Sequence, residues 1–416
     1  MVSGNEIEQK YMKKNSLVSN ILTKTVIVLY SLYAIKCVWL AFASVSYFPA
    51  YYYILEVSTI ACLPLGIVAV ILPGKLFFPK NFWLFILPFI YWIYNFVNNY
   101  TSPNLAVETF TLGVVVAFVL FRSEIKAKIF NMFYWLIQIL NVISLIFFFF
   151  YQLNINIGFE TVSYYEPNIH ANYIKWLIFG IYKSSSEIRL CGVFNEPGAL
   201  GTVCSLLFVV KFQKCRLWEI LLLVTVVICT YSLAGYLLIF IFLAFYLVKK
   251  NPTNLIYLGL FIGVFLLIPH IDFGNEYLNY LASRLAFTKE GFAGDNRTKP
   301  YFDKLYHRFM QSNDKWFGRG KNYPMGSGTL SYKTYVVEYG ILGFGFWIFT
   351  WIYSGINTAR RNKDCLVFLI IFLISIYQRP RLIASIYGYV LLFGGMEWIK
   401  MNQKSGLNLL RNFRYE

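Results

Sequence analysis

Residues Ile129 to Phe150 read "IFNMFYWLIQILNVISLIFFFF". The run carries no charged residue and is long enough, as a helix, to cross a hydrocarbon core that needs roughly 20 residues. Arg122, Lys126 and Lys128 crowd its N-terminal side, and short loops that stay on the inner side of a membrane collect such residues. Composition shows that this run is one of many. With 58% of the residues hydrophobic and only 14% charged, the chain lies far from a soluble average and reads as an integral membrane protein. Apolar stretches near 25–46, 50–73, 81–98, 105–121, 129–150, 197–212, 218–232, 235–248, 254–270, 333–353, 364–378 and 382–398 predict about twelve spans. The stretches between Trp218 and Val248 are short, so the expectation is 10–12. The expected fold class is all-α: a polytopic transmembrane helical bundle with a large outer loop containing short amphipathic helices.

Basic residues alternate with these spans. Lys10, Lys13 and Lys14; Lys75 and Lys80; Arg122, Lys126 and Lys128; Lys211, Lys214 and Arg216; Lys249 and Lys250; Arg360, Arg361 and Lys363; and Lys400 onward all fall on one side. The positive-inside rule makes that side cytoplasmic, with both termini there. The expected organisation is a cytoplasmic segment 1–24, a membrane domain 25–398 with outer loops 151–196 and 271–332, and a cytoplasmic tail 399–416. The polar N-terminus "MVSGNEIEQKYMKKN" has no cleavage pattern, so the first span is expected to act as the insertion signal. Of the seven cysteines only Cys191 lies clearly in an outer loop, which predicts no disulfide framework.

The outer loops carry positive charge that topology does not require. "RLCGVFNEPGALG", Arg189 to Gly201, places Arg189 seven residues before Glu196, and Arg284, Arg297, Arg379 and Arg381 fall on the same face. The helix-start reading of "NEPG" makes Asn195 an N-cap, with Glu196 at the positive dipole end and Pro197 in the first turn. That reading leaves Arg189 unexplained, because an unpaired charge beside a hydrophobic surface is costly. Pairing with Glu196 is one solution and a bound anion the other. A guanidinium presents a rigid fork suited to phosphate, and five arginines on one face fit a diphosphate. Glu196 either orients Arg189 or takes a proton. His170, His270 and His307 are all outer residues and read as structural groups, sugar contacts or a base. No spacing among them predicts a metal site, and no cofactor is expected.

In the second large loop, Phe302, Leu305, Phe309 and Met310 recur at helical spacing between Thr298 and Gln311, predicting an amphipathic interfacial helix. The "WFGRGKNYPMGSG" that follows is a glycine-rich loop holding Arg319 and Tyr323, candidate substrate contacts through charge and ring stacking. Ala171 to Tyr182 reads as another short interfacial helix.

Taken together, "RLCGVFNEPGALG", the turn "YSLAGY", "DNRTKPYFDKL" leading to "WFGRG", and "YVVEYGILGFG" resemble the O-antigen polymerases of the Wzy type, within the superfamily of O-antigen ligases and polymerases. The resemblance covers roughly Arg189 to Arg381. It implies a glycosyltransferase in the bacterial cytoplasmic membrane, working on the outer face on undecaprenyl-diphosphate-linked oligosaccharides as donor and acceptor. A chain-length regulator and a flippase would be partners, and nucleic acid would not. It also implies that arginines bind the diphosphate. On residue type the first diphosphate contacts are Arg189, Arg284 and Arg297, with Arg379 and Arg381 next and Glu196 orienting Arg189 or taking the acceptor proton, while His170, His307, Arg319 and Tyr323 are candidate substrate contacts. The ligase branch has a histidine near the end of the large loop, where "GSGTLSYKTY" holds Ser331 to Lys333; this departure favours polymerase over ligase. A lipid-linked oligosaccharide flippase is the rival reading. A carrier needs ionisable residues along a midplane path, and here Lys36, Glu56 and Glu108 trace no obvious one.

Overall fold

The computed structural model describes residues 4–37, 49–71, 83–98, 105–166, 169–183, 188–251, 266–274, 300–320, 323–325, 331–360, 362–379 and 385–402, with short pieces between 253 and 292. Helices α1 (Gly4–Lys36), α2 (Pro49–Ile71), α3 (Trp83–Asn98), α4 (Leu105–Leu120) and α5 (Ser123–Gln152) come first. A four-stranded sheet follows: β1 (Glu160–Glu166), β2 (Ile169–Trp176), β3 (Phe179–Lys183) and β4 (Ile188–Gly192). Next are α6 (Pro197–Lys211), α7 (Leu217–Cys229), α8 (Leu233–Lys250), the short hairpin β5 (Phe287–Thr288) and β6 (Gly291–Phe292), α9 (Pro300–Gln311), α10 (Tyr332–Ala359) and α11 (Lys363–Gln378). Last is α12 (Ile386–Tyr389), which runs on through a π-helical turn, Val390–Gly394, and resumes as α-helix over 395–402.

Each expected span except 254–270, nearly half of which lies outside the described residues, overlaps one of these helices. Among the described residues four helical stretches are long and apolar enough to cross a membrane: Tyr53–Ile71 within α2, α5, α8 and α10. Thr109–Leu120 of α4, α6 and α7 are apolar but shorter. The chain is thus mostly helical and carries the apolar helices of a membrane protein. The all-α expectation is corrected by the antiparallel sheet, whose strands pair in chain order β1-β2-β3-β4. In particular, the helix expected over Ala171–Tyr182 is a hairpin of β2 and β3, in which Trp176 faces Phe179 across a two-residue turn.

Two units divide the chain, and three of the four divisions fall inside α5, α10 and α11. The first comprises Met1–Ile137, Gly345–Leu366 and Leu382–Glu416. Its interior is aromatic: Tyr30, Phe118, Phe130, Phe133, Trp347 and Trp351 are almost wholly buried. Lys36 pairs with Glu56 at 2.6 Å and also reaches the Thr59 hydroxyl at 3.0 Å, so an ionisable pair among apolar helices is internally satisfied. Lys126 donates to the Val119 carbonyl at 2.6 Å, placing a cation on the negative end of α4. At the π-helical turn the chain presses against α5: a Cβ on Gly394 would lie 2.8 Å from Phe130 Cβ and 3.0 Å from the Lys126 carbonyl oxygen.

The second unit, Gln138–Phe344 with Val367–Arg381, holds the sheet, α6 to α9 and the first part of α10. Small residues bring α6 and α8 together, as in membrane helix pairs generally. Ser205 donates to the Gly235 carbonyl at 2.9 Å, and a Cβ on Gly201 would lie 2.7 Å from Ser232 Cβ. Gly201→Val is therefore expected to overpack this crossing and cost about 1–3 kcal/mol, read as a lower melting temperature in detergent. Gly201→Ser should do less harm.

Candidate functional site

The sheet positions the first charged residues. On β4, Arg189 stands opposite Tyr182 of β3, and the strand then enters the interior with Leu190 and Cys191 fully buried. Burial pushes the Cys191 thiol well above its ordinary range, which keeps it an unreactive thiol; all seven cysteines are free. Gly192 turns the chain with φ of 60°, in the left-handed region, and a Cβ there would lie 2.8 Å from the Ser144 hydroxyl of α5. Only glycine meets both conditions without strain.

After this turn the chain starts α6. Glu196 is the extended residue before the helix (φ −140°, ψ 136°), and Pro197 opens it. The cap expected at Asn195 is thus displaced by one residue, and the cause is visible. Tyr173 of β2 donates its hydroxyl to the Asn195 carbonyl at 2.5 Å, tying the residue to the sheet. The Glu196 side chain makes no capping bond. Its carboxylate instead forms an ion pair with Arg379, which follows the last turn of α11. The two side chains are 22% and 16% exposed respectively, so the pair is shielded enough to matter energetically. The buried Arg379 Nε–H has no hydrogen-bond partner among the described residues.

Arg189 uses its fork differently. Nε donates to the Thr230 carbonyl at 3.0 Å and Nη2 to the Tyr231 carbonyl at 3.2 Å. These carbonyls lie just past the end of α7, where helices leave acceptors unsatisfied and the dipole is negative. Tyr231 itself is left-handed, with φ of 47°. Arg189 therefore staples β4 to the "YSLAGY" turn between α7 and α8. Arg189→Gln should remove two charge-assisted hydrogen bonds, each worth about 1.5–3 kcal/mol, and lower the melting temperature. Lys at this position should recover only part of that loss, because it offers no fork.

The glycine-rich loop forms a second constellation. Gly340 breaks α10 with φ of 73° and ψ of 174°, and Trp316 to Gly320 lies against the break. Arg319 N–H donates to the Val337 carbonyl at 2.8 Å, Gly320 N–H to the Glu338 carbonyl at 2.9 Å, and Leu342 N–H to the Trp316 carbonyl at 3.1 Å. The loop backbone thus replaces the helical bonds the break removes. The Arg319 side chain is held by neighbours in the loop and at the end of α9. It pairs with Asp314 at 2.9 Å, donates to the Tyr323 hydroxyl at 2.7 Å, and lies over the rings of Tyr323 and Phe309. The structure thus brings the candidate contacts Arg319 and Tyr323 together with each other, as parts of this clasp. His307 is exposed on α9 with its ring beside Tyr306. His170 pairs with Tyr165 in the β1–β2 ladder, and its side chain lies outside the described residues, as do Arg284, Arg297 and Arg381 entirely.

Sequence reading alone did not single out three further contacts. Tyr173 fixes the Asn195 carbonyl. Lys333, at the start of α10, pairs with Asp303 of α9 at 2.7 Å and lies over the Tyr306 ring. Tyr332 and Tyr377, with ring centroids 5.3 Å apart, bring the start of α10 beside the end of α11, two residues before Arg379. Asp303 and Lys333 sit 30 residues apart, and no local signal links them. Among the described residues there is no group of three or more His, Cys, Asp or Glu side chains that could hold a metal ion. No protein-family model, curated protein or solved structure matches this chain.

Proposed function

We propose that the chain is a membrane glycosyltransferase that joins undecaprenyl-diphosphate-linked oligosaccharide repeats into a surface polysaccharide on the outer face of the cytoplasmic membrane. The observation that carries this reading is the shielded Glu196–Arg379 pair at the start of α6, with a donor of Arg379 left over. In the proposed reaction a sugar hydroxyl of the acceptor attacks the anomeric carbon of the donor glycan. The bond from that carbon to the diphosphate oxygen breaks, the lipid diphosphate leaves with the electron pair, and the hydroxyl proton passes to a base or to water. A glycosyl diphosphate is already activated, so the protein must chiefly align the acceptor and stabilise the leaving charge. In this reading Arg379 meets the diphosphate, Glu196 holds the guanidinium at the right angle, and Arg189 keeps β4 and the α7–α8 turn in place behind them. Arg284, Arg297 and Arg381 are proposed as further diphosphate contacts on the basis of their residue type and the outer loops they occupy.

The test is a deletion of the gene followed by gel analysis of surface polysaccharide. Loss of a polymerase leaves a single repeat where a ladder was, loss of a flippase traps the lipid-linked repeat on the inner side, and loss of a ligase leaves long glycan on the lipid carrier. The arginine account also predicts that the purified protein keeps its polymerising activity in excess chelator. Strict dependence on an added divalent cation would contradict it.

A further inference from the structure

Helix α9 has two unlike faces. Phe302 and Phe309 are fully buried against Val336 and Val337 of α10, with Leu305, Tyr306 and Met310 packed around them. The opposite face presents Lys304, His307 and Arg308, all exposed, and Tyr301 at its edge, 66% exposed. Among the described residues, acidic side chains do not offset that charge. Asp303 is paired with Lys333 and Asp314 with Arg319, while Lys304 and Arg308 have no acidic partner among the described residues. Lys315 adds a further cation, lying over the Trp316 ring at 5.5 Å.

The loop after α9 is pinned at a definite level along α10. Trp316 accepts from Leu342 N–H, and Arg319 donates to the Val337 carbonyl, so Trp316 and Phe317 lie alongside the turn around Gly340. They are 47% and 62% exposed, and Leu342 beside them is 48% exposed. α10 is one of the helices long and apolar enough to cross a membrane. The structure therefore sets two exposed aromatic rings against the flank of a membrane-competent helix, next to a cationic helix face. Aromatic rings at span ends favour the headgroup level, and basic amphipathic helices favour anionic lipid surfaces.

From this we infer that the face of α9 formed by Tyr301, Lys304, His307 and Arg308, together with Trp316 and Phe317, is a docking surface for anionic phospholipid headgroups of the bilayer. The basic side chains meet the headgroup phosphates and the rings enter the boundary with the acyl chains. α9 is thereby held between the leaflet and α10. This role is independent of the glycosyl-transfer reading, because it asks nothing of Glu196 or Arg379.

The test uses the full chain in nanodiscs of phosphatidylcholine alone, and in nanodiscs of equimolar phosphatidylcholine and phosphatidylglycerol, with hydrogen exchange followed over residues 300–320. Exchange should be slower in the anionic discs, and the difference should vanish in high salt. Each Lys or Arg near an anionic surface strengthens association about fivefold, so K304Q/R308Q should weaken the lipid-dependent protection roughly 30-fold, while K304R/R308K should keep it. Brominated acyl chains should quench Trp316, an effect lost in W316F. Equal protection in both lipids, or protection that survives K304Q/R308Q, overturns the inference. So does protection that appears only on raising the protein concentration or on adding an anionic glycan, since a second copy or a polysaccharide would then be the occupant.

Discussion

Arg379→Gln is expected to slow chain growth by about 10² to 10³, the usual consequence of removing one preorganised donor from a site of developing negative charge. The substitution also takes the Arg379 partner from the Glu196 carboxylate, which lies mostly shielded beside the start of α6. Breaking such a pair by removing one partner costs about 2–5 kcal/mol, so Arg379→Gln should destabilise as well as inactivate. The two effects separate in the double variant. Glu196→Gln with Arg379→Gln removes both charges and leaves neutral amides able to bond, so the melting temperature should largely recover. Chain growth should not recover, because the donor proposed to meet the leaving diphosphate is still missing. A double variant that polymerises normally would reduce the pair to a structural contact. Arg379→Lys should be intermediate in stability and poor in rate, since it keeps the charge without the fork.

The second large effect belongs to the clasp. Gly340 adopts φ of 73° and ψ of 174°, a region open essentially to glycine alone and costing other residues about 1–3 kcal/mol. A Cβ at this position would also come within 2.5 Å of the Trp316 carbonyl carbon, and one at Gly318 within 2.5 Å of the Gly340 nitrogen. Neither neighbour is a flexible side chain that can move aside. Gly340→Ala should therefore detach Trp316–Gly320 from α10, release three backbone hydrogen bonds and expose the loop to protease. Limited proteolysis over 313–325 should detect this as rapid cleavage in the variant and protection in the parent. Gly345, whose Cβ would meet open space, is the control, and Gly345→Ala should leave the pattern unchanged.

The helices were legible because long apolar runs interrupted by basic loops leave few alternatives. α9 was legible too: the 3.6-residue recurrence of Phe302, Leu305 and Phe309 foretells the buried stripe that the structure shows. The sheet was hidden for a specific reason. The β2–β3 hairpin turns on Leu177 and Ile178, with Leu177 at φ of 52°, whereas the sequence signal for a two-residue turn is Asn-Gly or a relative of it. Without that signal, "ANYIKWLIFGIY" looks like one continuous apolar helix. The same limit applies to the candidate site. A glutamate before Pro197 and an arginine after α11 were each visible as residues of interest, yet 183 positions separate Glu196 from Arg379, and only the fold joins them. Arg189 was visible as a costly charge, and its resolution through the Thr230 and Tyr231 carbonyls depends on the left-handed Tyr231, a conformation that sequence pattern does not reveal for a tyrosine.

The most direct test of the proposed function is reconstitution. The purified full chain would be placed in liposomes with undecaprenyl-diphosphate-linked repeat units as the only glycan, and the products followed by mass spectrometry. The account predicts lipid-linked oligomers of increasing length, with one free undecaprenyl diphosphate released for each new glycosidic bond and both products lost in the Arg379→Gln variant. Unchanged single repeats with no lipid diphosphate released, or repeats merely moved from one leaflet to the other, would contradict it.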